Sequence, residues 1–472
     1  MTVLRSLRFA LLVVIVLMAV PAAAVKATPR MPIGFFDDPS FRWSTEWATN
    51  LRAAQTAHAS IIHVLADWSQ IAKDKPTNAL NGDDPAYKLA DIDQLVRTAP
   101  KYGLQVLITI TGAPKWANGG QTPNHPPTRL ADLTDFAHML AARYNGHRPG
   151  FGVVTRWSVW NEPNLQLFLT PQFNASGTIV SPQEYVKLWM AAYAGIKAGN
   201  PLALVAAGET SNRGHNHPTA GTGTTDSVAP ATFANLVAKA APHLPLAAWA
   251  EHPYPSIPNP SATQTATYPE VRLTNINKFG ASLQQWFHKR VPIWVTEWSE
   301  QTAPEYPTGG IGYAQQAQDV KTALQLAQAS PYVEMFVWFI FRDSDSQTWF
   351  SGIEKKTGVK KPAYGAFVAA AKNIDGQSIV VAPNRIFTAK IFVPIFTYHD
   401  TPGSPVGVTW GVIEGNDVAA AGQSRVTFSA DQTVTFTVKF KPTKGVAYTM
   451  TADVNDKHGF HQKRIIRLLP NS

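Results

Sequence analysis

The stretch RWSVWNEPN, residues 156–164, decides the fold class of this 472-residue chain. Its first five residues are rich in aromatic and β-branched side chains, which is typical of a buried strand. The segment from Ser181 to Glu184 then carries the start signals of a helix: a capping Ser, a Pro at the first helical position and a Glu three residues after the cap. We therefore predict one strand-helix unit here, its helix running to about Gly199.

The same pattern recurs on both sides of this unit. Eight apolar runs separated by helical patterns are predicted as strands: Pro32–Phe36, Ser60–Ala66, Leu104–Thr109, Val154–Trp160, Leu204–Ala207, Ala247–Glu251, Pro292–Thr296 and Met335–Phe341. Eight such units fit a closed (β/α)₈ barrel, the TIM barrel, better than an open doubly wound sheet. We predict that residues 28–375 form this α/β barrel.

The last part of the chain has a different sequence pattern. Residues 376–472 contain short β-branched runs separated by Gly, Pro, Asn or Asp. This pattern predicts a small antiparallel β-sandwich of the immunoglobulin-like kind. Its role is left open between glycan binding and a structural cap or spacer.

The N-terminal residues 1–27 resemble a signal peptide. Arg5 and Arg8 precede an apolar run from Phe9 to Val20, and three alanines at positions 22–24 follow it. An uncleaved membrane anchor is the alternative, because the run extended to Val25 approaches the length that spans a bilayer. Either way, we expect a secreted or extracytoplasmic protein, without stable membrane insertion once the segment is cleaved.

Composition narrows the possible chemistry. The chain has no cysteine, which excludes zinc-thiolate sites and a cysteine nucleophile. Its hydrophobic residues make up 45% and its charged residues 15%, as in a globular protein. The net charge of +9 is scattered without a basic run, so nucleic acid is not an expected partner. The sequence carries no signal for an oligomeric state.

Two carboxylates follow strands on opposite sides of the predicted barrel. Glu162 comes after the fourth strand and Glu297 ends the seventh. Catalytic groups of such barrels lie at the carboxyl ends of the strands, so both side chains reach one rim. Cleavage of a glycosidic bond requires two such groups, one to protonate the leaving oxygen and one to attack or to activate water. The rival carboxylates are Glu209, Glu251, Glu300 and Glu305, of which Glu209 competes most because it also follows a strand end.

The motifs around these residues resemble those of glycoside hydrolase clan A. WNEPN at 160–164 and TEW at 296–298 are similar to the paired motifs of that clan, with HPY at 252–254 and KPAY at 361–364 as weaker landmarks. Within the clan, the sequence resembles glycoside hydrolase family 39 most and family 5 next. The resemblance covers about residues 31–373.

This resemblance implies roles for particular residues. Glu162 would be the acid/base and Glu297 the nucleophile of a retaining, double-displacement mechanism that needs no cofactor. Asn161 would donate to the sugar 2-hydroxyl and Tyr254 to Glu297. His252 would line the same subsite, and Trp338 would form its apolar floor.

Further aromatic residues lie near the predicted strand ends, where sugar rings could pack on them. They are Trp68, Trp116, Trp298, Trp338 and Trp349. Asp67, beside Trp68, suits contacts to sugar hydroxyls. A metal site formed by His63, Asp67, His215 and His217 is disfavoured, and no metal is expected.

The sequence therefore predicts a retaining glycoside hydrolase that acts on an O-glycosidic bond of an extracellular oligo- or polysaccharide. Two alternatives stay open: a non-catalytic glycan-binding protein on the same barrel, and a transglycosylase that uses the same covalent intermediate. The pairing of Glu297 with Tyr254 argues against the first of these.

Overall fold

A computed structural model describes residues 31–470 apart from 202, 220–224, 304, 347, 375–377, 394–401, 415–416, 431–432, 447 and 458–460. The predicted signal segment 1–27 lies outside the described residues. Within the described part, no helix has both the length and the apolar character needed to cross a bilayer.

Eight parallel strands close into a barrel in chain order. They are β1 Ile33–Phe36, β2 Ile61–Asp67, β3 Gln105–Thr111, β4 Arg156–Val159, β5 Leu204–Ser211, β6 Ala248–His252, β7 Ile293–Trp298 and β8 Val333–Phe339. The barrel closes where β1 pairs with β8, with Ile33 opposite Phe336 and Phe36 opposite Phe339. The predicted barrel fold is confirmed.

Helices follow the strands and cover the outside of the barrel. They are α1 Trp47–Thr56, α2 Trp68–Ile71, α3 Ala90–Thr98, α4 Leu130–Arg143, α5 Ser181–Gly199, α6 Pro230–Ala240, α7 Ile276–Trp286, α8 Tyr313–Ala329 and α9 Pro362–Ile374. The predicted cap of α5 is wrong by one residue. Val180 occupies the cap position, and the hydroxyl of Ser181 instead donates to Gln172 at 2.8 Å, which ties the helix to the preceding loop.

Alternate residues of each strand face the barrel interior and the surrounding helices. The interior cluster mixes small and large side chains, from alanines on β5 and β6 to Trp294 on β7, as a narrow barrel requires. The outer cluster is larger and contains most of the buried indoles, including Trp157, Trp249 and Trp338. This division decides which strand residues can reach the rim of the barrel and which are covered by helices.

Seven further strands form the C-terminal unit: β9 Ser378–Val381, β10 Phe387–Phe392, β11 Pro405–Glu414, β12 Asp417–Thr427, β13 Thr433–Val438, β14 Tyr448–Asn455 and β15 His461–Pro470. They form a pair, β10-β13, and a five-stranded sheet in the order β12-β11-β14-β15-β9. The expected β-sandwich is confirmed, although β9 pairs with β15 in parallel. Alternate residues of β14, such as Met450 and Ala452, are buried in a core separate from the barrel's.

Candidate active site

Glu162 stands on a sharp turn directly after β4. Both Trp160 and Glu162 have positive φ values, 68° and 38°, so the chain leaves the strand through left-handed backbone conformations. The amide of Glu162 donates to the backbone carbonyl of Glu209 at 2.9 Å, which fixes the turn to β5. The side chain remains 15% exposed and lies at the open end of the barrel.

Glu297 reaches the same place from β7. The pairing of β7 with β8 shifts register between Val295 and Trp298, which places Thr296 and Glu297 in an irregular segment of the strand. The hydroxyl of Tyr254 donates to Oε2 of Glu297 at 2.8 Å. A hydrogen bond to the charged form of a carboxyl favours ionisation, so Tyr254 both orients Glu297 and stabilises its anion.

His252, at the end of β6, lies between the two carboxylates. Its Nδ1 is 3.2 Å from Oε1 of Glu162 and 3.7 Å from Oε2 of Glu297. Burial alone would lower the pKa of the imidazole, but Glu297, Glu162 and Glu209 together raise it well above its usual range. The three carboxylates around His252 therefore favour its protonated, positively charged form.

Burial raises the pKa of Glu297 to about 7, with Glu162 acting in the same direction, while His252 and Tyr254 act to lower it. A retaining mechanism requires an ionised nucleophile and a protonated acid. Glu297, which the resemblance assigns as the nucleophile, has the raised pKa, and burial is its largest cause.

Asn161 is also buried here, and its Oδ1 accepts no hydrogen bond from a described residue. Its backbone amide lies 3.5 Å from Oγ1 of Thr111, which anchors the segment to β3. A buried amide oxygen without a donor is costly unless a ligand or water supplies one. Five residues are thus brought together at one rim: Asn161, Glu162, His252, Tyr254 and Glu297.

No family model matches this sequence, and no curated protein matches it either. Solved structures do match. A family 39 glycoside hydrolase from the gut symbiont Bacteroides cellulosilyticus WH2 aligns at a TM-score of 0.51 and 17% identity, over 94% of this chain and 80% of that one. A glucosidase from Croceicoccus marinus aligns at a TM-score of 0.53 and 13% identity, over 88% of this chain and 94% of that one.

A third structure, a GH5_18 protein from Streptomyces cattleya in complex with GlcNAc, aligns at a TM-score of 0.50 and 15% identity, over 76% of this chain and 85% of that one. The chain has the fold of the clan A glycoside hydrolases. The resemblance drawn from WNEPN and TEW is thereby confirmed at the level of the fold. At these identities the comparison extends no further than architecture.

The clan A fold does not bring every expected residue to the rim. Trp338 and Trp298 are 0% and 1% exposed, and their rings lie 5.5 Å apart in the outer layer, facing the helices. The indole of Trp338 donates to the carbonyl of Ser351 at 3.0 Å. The assignment of Trp338 as the sugar floor and of Trp298 as a sugar contact is therefore wrong, since alternation along β8 turns Trp338 outward and the irregular pairing of β7 turns Trp298 outward.

Trp68 is also wrongly assigned because it is fully buried, whereas Asp67 and Trp116 are half-buried and their sugar contacts stay predictions. Asp67 caps α2, accepting from the amide of Ser69 at 2.9 Å and from its hydroxyl at 2.6 Å. Trp68 is buried and its ring stacks on that of Phe136, with 5.3 Å between the centroids. Trp116 packs edge-on against Trp68, and its indole N–H donates to the carbonyl of Ala72. These side chains stabilise the loops of β2 and β3 and do not contact the carboxylates.

Trp349, in the loop after β8, is one of the aromatic side chains at the site. Its ring centroid lies 5.5 Å from that of Tyr254 and 6.3 Å from that of Phe339, and its indole N–H donates to Ser299 at 3.0 Å. Trp349 was among the aromatic candidates near strand ends, whereas Phe339 was missed. The alternation that turns Trp338 outward would have indicated Phe339.

Proposed function

We propose that this protein is a retaining glycoside hydrolase that cleaves O-glycosidic bonds of an oligo- or polysaccharide, with Glu162 as acid/base and Glu297 as nucleophile. The observation that supports it most is the convergence of both carboxylates on one nitrogen of His252. Oxygens at 3.2 and 3.7 Å from the same atom are less than about 7 Å apart. This bound admits the separation of about 5 to 5.5 Å typical of retaining pairs and excludes most of the range of roughly 6.5 to 9.5 Å in which inverting pairs admit a water.

In the first step Glu297 attacks the anomeric carbon, and the bond to the leaving oxygen breaks while Glu162 gives that oxygen its proton. In the second step Glu162 takes a proton from water, and the hydroxide displaces Glu297 with a second inversion. The first step requires the tautomer in which the single proton of the pair lies on Glu162. Tyr254 favours that tautomer, because its hydroxyl donates to Glu297 and stabilises negative charge there.

Binding alone does not explain this arrangement. A glycan-binding protein has no use for a buried carboxylate held by a tyrosine and an imidazolium, because burying that charge is costly. Hydrolysis and transglycosylation share the covalent intermediate and differ in the acceptor that resolves it. A product analysis with and without added sugar acceptors separates the two.

The decisive experiment is a panel of aryl glycosides and polysaccharides, followed by NMR of the first sugar product. We expect release of the sugar with retained anomeric configuration. The matched control is Glu297→Gln, which keeps the shape of the site and removes the nucleophile. Inverted product, or equal turnover by Glu297→Gln, would overturn the proposal.

We further propose that the protein is exported. The pattern from Arg5 to Ala24 supports this, with cleavage near Val25 to Pro29. N-terminal sequencing of the protein from its native host should begin in that interval. An intact Met1 in a membrane fraction would favour the anchor instead.

A further inference from the structure

A layer of polar side chains crosses the barrel interior beneath the proposed catalytic pair. Each of the six consecutive strands β2 to β7 contributes one residue to it: His63, Thr109, Ser158, Glu209, His252 and Thr296. All six are buried. A polar layer in a barrel core is costly unless every member is paired, and here the hydrogen bonds converge on Glu209.

Glu209 reaches this layer through a bulge in β5. The pairing of β5 with β6 shifts register between Gly208 and Thr210, and Glu209 itself has a φ of 52°. The bulge requires glycine at 208, where φ is 104° and an added Cβ would lie 2.5 Å from the carbonyl oxygen of Ala250. Such bulges redirect a side chain next to functional sites.

The Glu209 carboxylate accepts hydrogen bonds on both oxygens. The hydroxyls of Ser158 and Thr109 donate to Oε1, and the hydroxyl of Thr296 donates to Oε2 at 3.1 Å. Nε2 of His252 is 2.8 Å from the same Oε2. Burial alone would raise the pKa of Glu209, but the hydrogen bond from His252, then the nearby His63 and the hydrogen bond from Ser158, lower it to about 2.

His252 consequently has a carboxylate on each ring nitrogen, Glu209 on Nε2 and Glu162 on Nδ1. A neutral imidazole has only one N–H, so when both carboxyls are ionised the two contacts are hydrogen bonds only in the imidazolium. The other groups around this ring are Glu297, Tyr254, Glu251 and His63. His63 adds no charge at neutral pH, because burial lowers its pKa to about 4. Glu251 bonds Thr210 and Trp249 instead.

We propose that Glu209 is a positioning residue of the active site, which keeps His252 doubly protonated and directs its Nδ1–H between Glu162 and Glu297. This role rests on the proposed glycosidase function. Glu209 touches no substrate. It acts through His252, whose positive charge lets Glu297 ionise in a buried site.

The test is Glu209→Gln, which preserves shape and removes the charge. We expect the ¹⁵N shifts of the His252 ring to change from imidazolium to neutral imidazole at pH 7. The acid limb of kcat/KM should move up by about one pH unit, because Glu297 loses a neighbouring cation. Glu209→Asp, which keeps the charge, should retain the imidazolium and the wild-type limb.

Glu300→Gln is the control for replacing a buried carboxyl without removing a charge: Glu300 does not contact His252, its pKa of about 9 leaves it neutral at pH 7, and both readouts should stay unchanged. The proposal would be overturned if His252 stays an imidazolium in Glu209→Gln and the acid limb of the pH profile of kcat/KM does not move. If Glu209→Gln does not fold, the ¹⁵N shifts of the His252 ring are measured in the wild type. A neutral His252 at pH 7 there would overturn the proposal. If the ring shifts behave as expected while the wild type cleaves no glycoside, the glycosidase assignment fails and the charge-holding role of Glu209 stands.

Discussion

Nδ1 of His252 lies 3.2 Å from Oε1 of Glu162, while the opposite ring nitrogen lies 2.8 Å from Oε2 of Glu209. One imidazole thus connects the rim of the barrel to its polar interior. Because its Nδ1 is also 3.7 Å from Glu297, any change in its charge acts on both proposed catalytic carboxylates. The predictions below depend on this arrangement.

Replacing Glu162 with Ala should slow turnover by about 10²- to 10⁴-fold on natural substrates and far less on substrates whose leaving group needs no protonation. Azide should restore turnover of activated substrates by attacking the glycosyl-enzyme, giving a glycosyl azide detectable by mass spectrometry. Equal losses on both substrate classes would assign Glu162 another role.

A 2-fluoro glycoside of the correct sugar should label Glu297. The fluorine destabilises the oxocarbenium-like transition state, so the covalent intermediate accumulates. Peptide mapping should find the added mass within residues 294–298. Labelling at Glu209 would leave the reaction class standing and refute the nucleophile assignment, although its burial beneath His252 argues against attack from that position.

Tyr254→Phe should lower kcat/KM by about ten- to a hundredfold, because it removes one hydrogen bond from the buried Glu297 anion. The loss of that donor raises the pKa of Glu297 further above about 7, so the acid limb of the pH profile should also move upward. A pH series on one aryl glycoside measures both effects. Reduced activity with an unmoved acid limb would mean that Tyr254 serves only to pack the site.

Glu300→Gln should stabilise the protein at alkaline pH. Neither carboxyl oxygen of Glu300 accepts a hydrogen bond from a described residue, and burial, then the neighbouring Asp319, raises its pKa to about 9. A pKa that is raised in the folded state contributes stability fully below the unfolded value of 4.5, and this contribution is lost as pH rises through about 9.

Thermal unfolding should therefore show little difference between the wild type and Glu300→Gln at pH 5 and a higher Tm for the variant at pH 9. Glu354→Gln is the control. Its carboxylate is also buried but is bonded by Arg342 at 3.0 and 2.8 Å, so its neutralisation should destabilise the fold. A variant Glu300→Gln that is no more stable than the wild type at pH 9 would show that Glu300 is ionised at low cost.

The sequence by itself determined the order of strands and helices, because hydrophobic periodicity and helix start signals are local properties. It also determined that Glu162 and Glu297 lie on one rim, since all strands of a parallel barrel end on the same side. Asn161, His252 and Tyr254 were assigned to the site by the resemblance to clan A, and each stands at or just after a strand end. The structure places all of them together.

The tertiary structure alone decided which face each strand residue occupies. Trp298 and Trp338 stand at strand ends, yet alternation and the irregular pairing of β7 turn them toward the helices, while Trp349 comes to the site from a loop. Glu209 became a member of the interior network only through a bulge, which no local pattern signals. The cause is physical: a shift of one residue reverses the face of a side chain, and its register depends on the neighbouring strand.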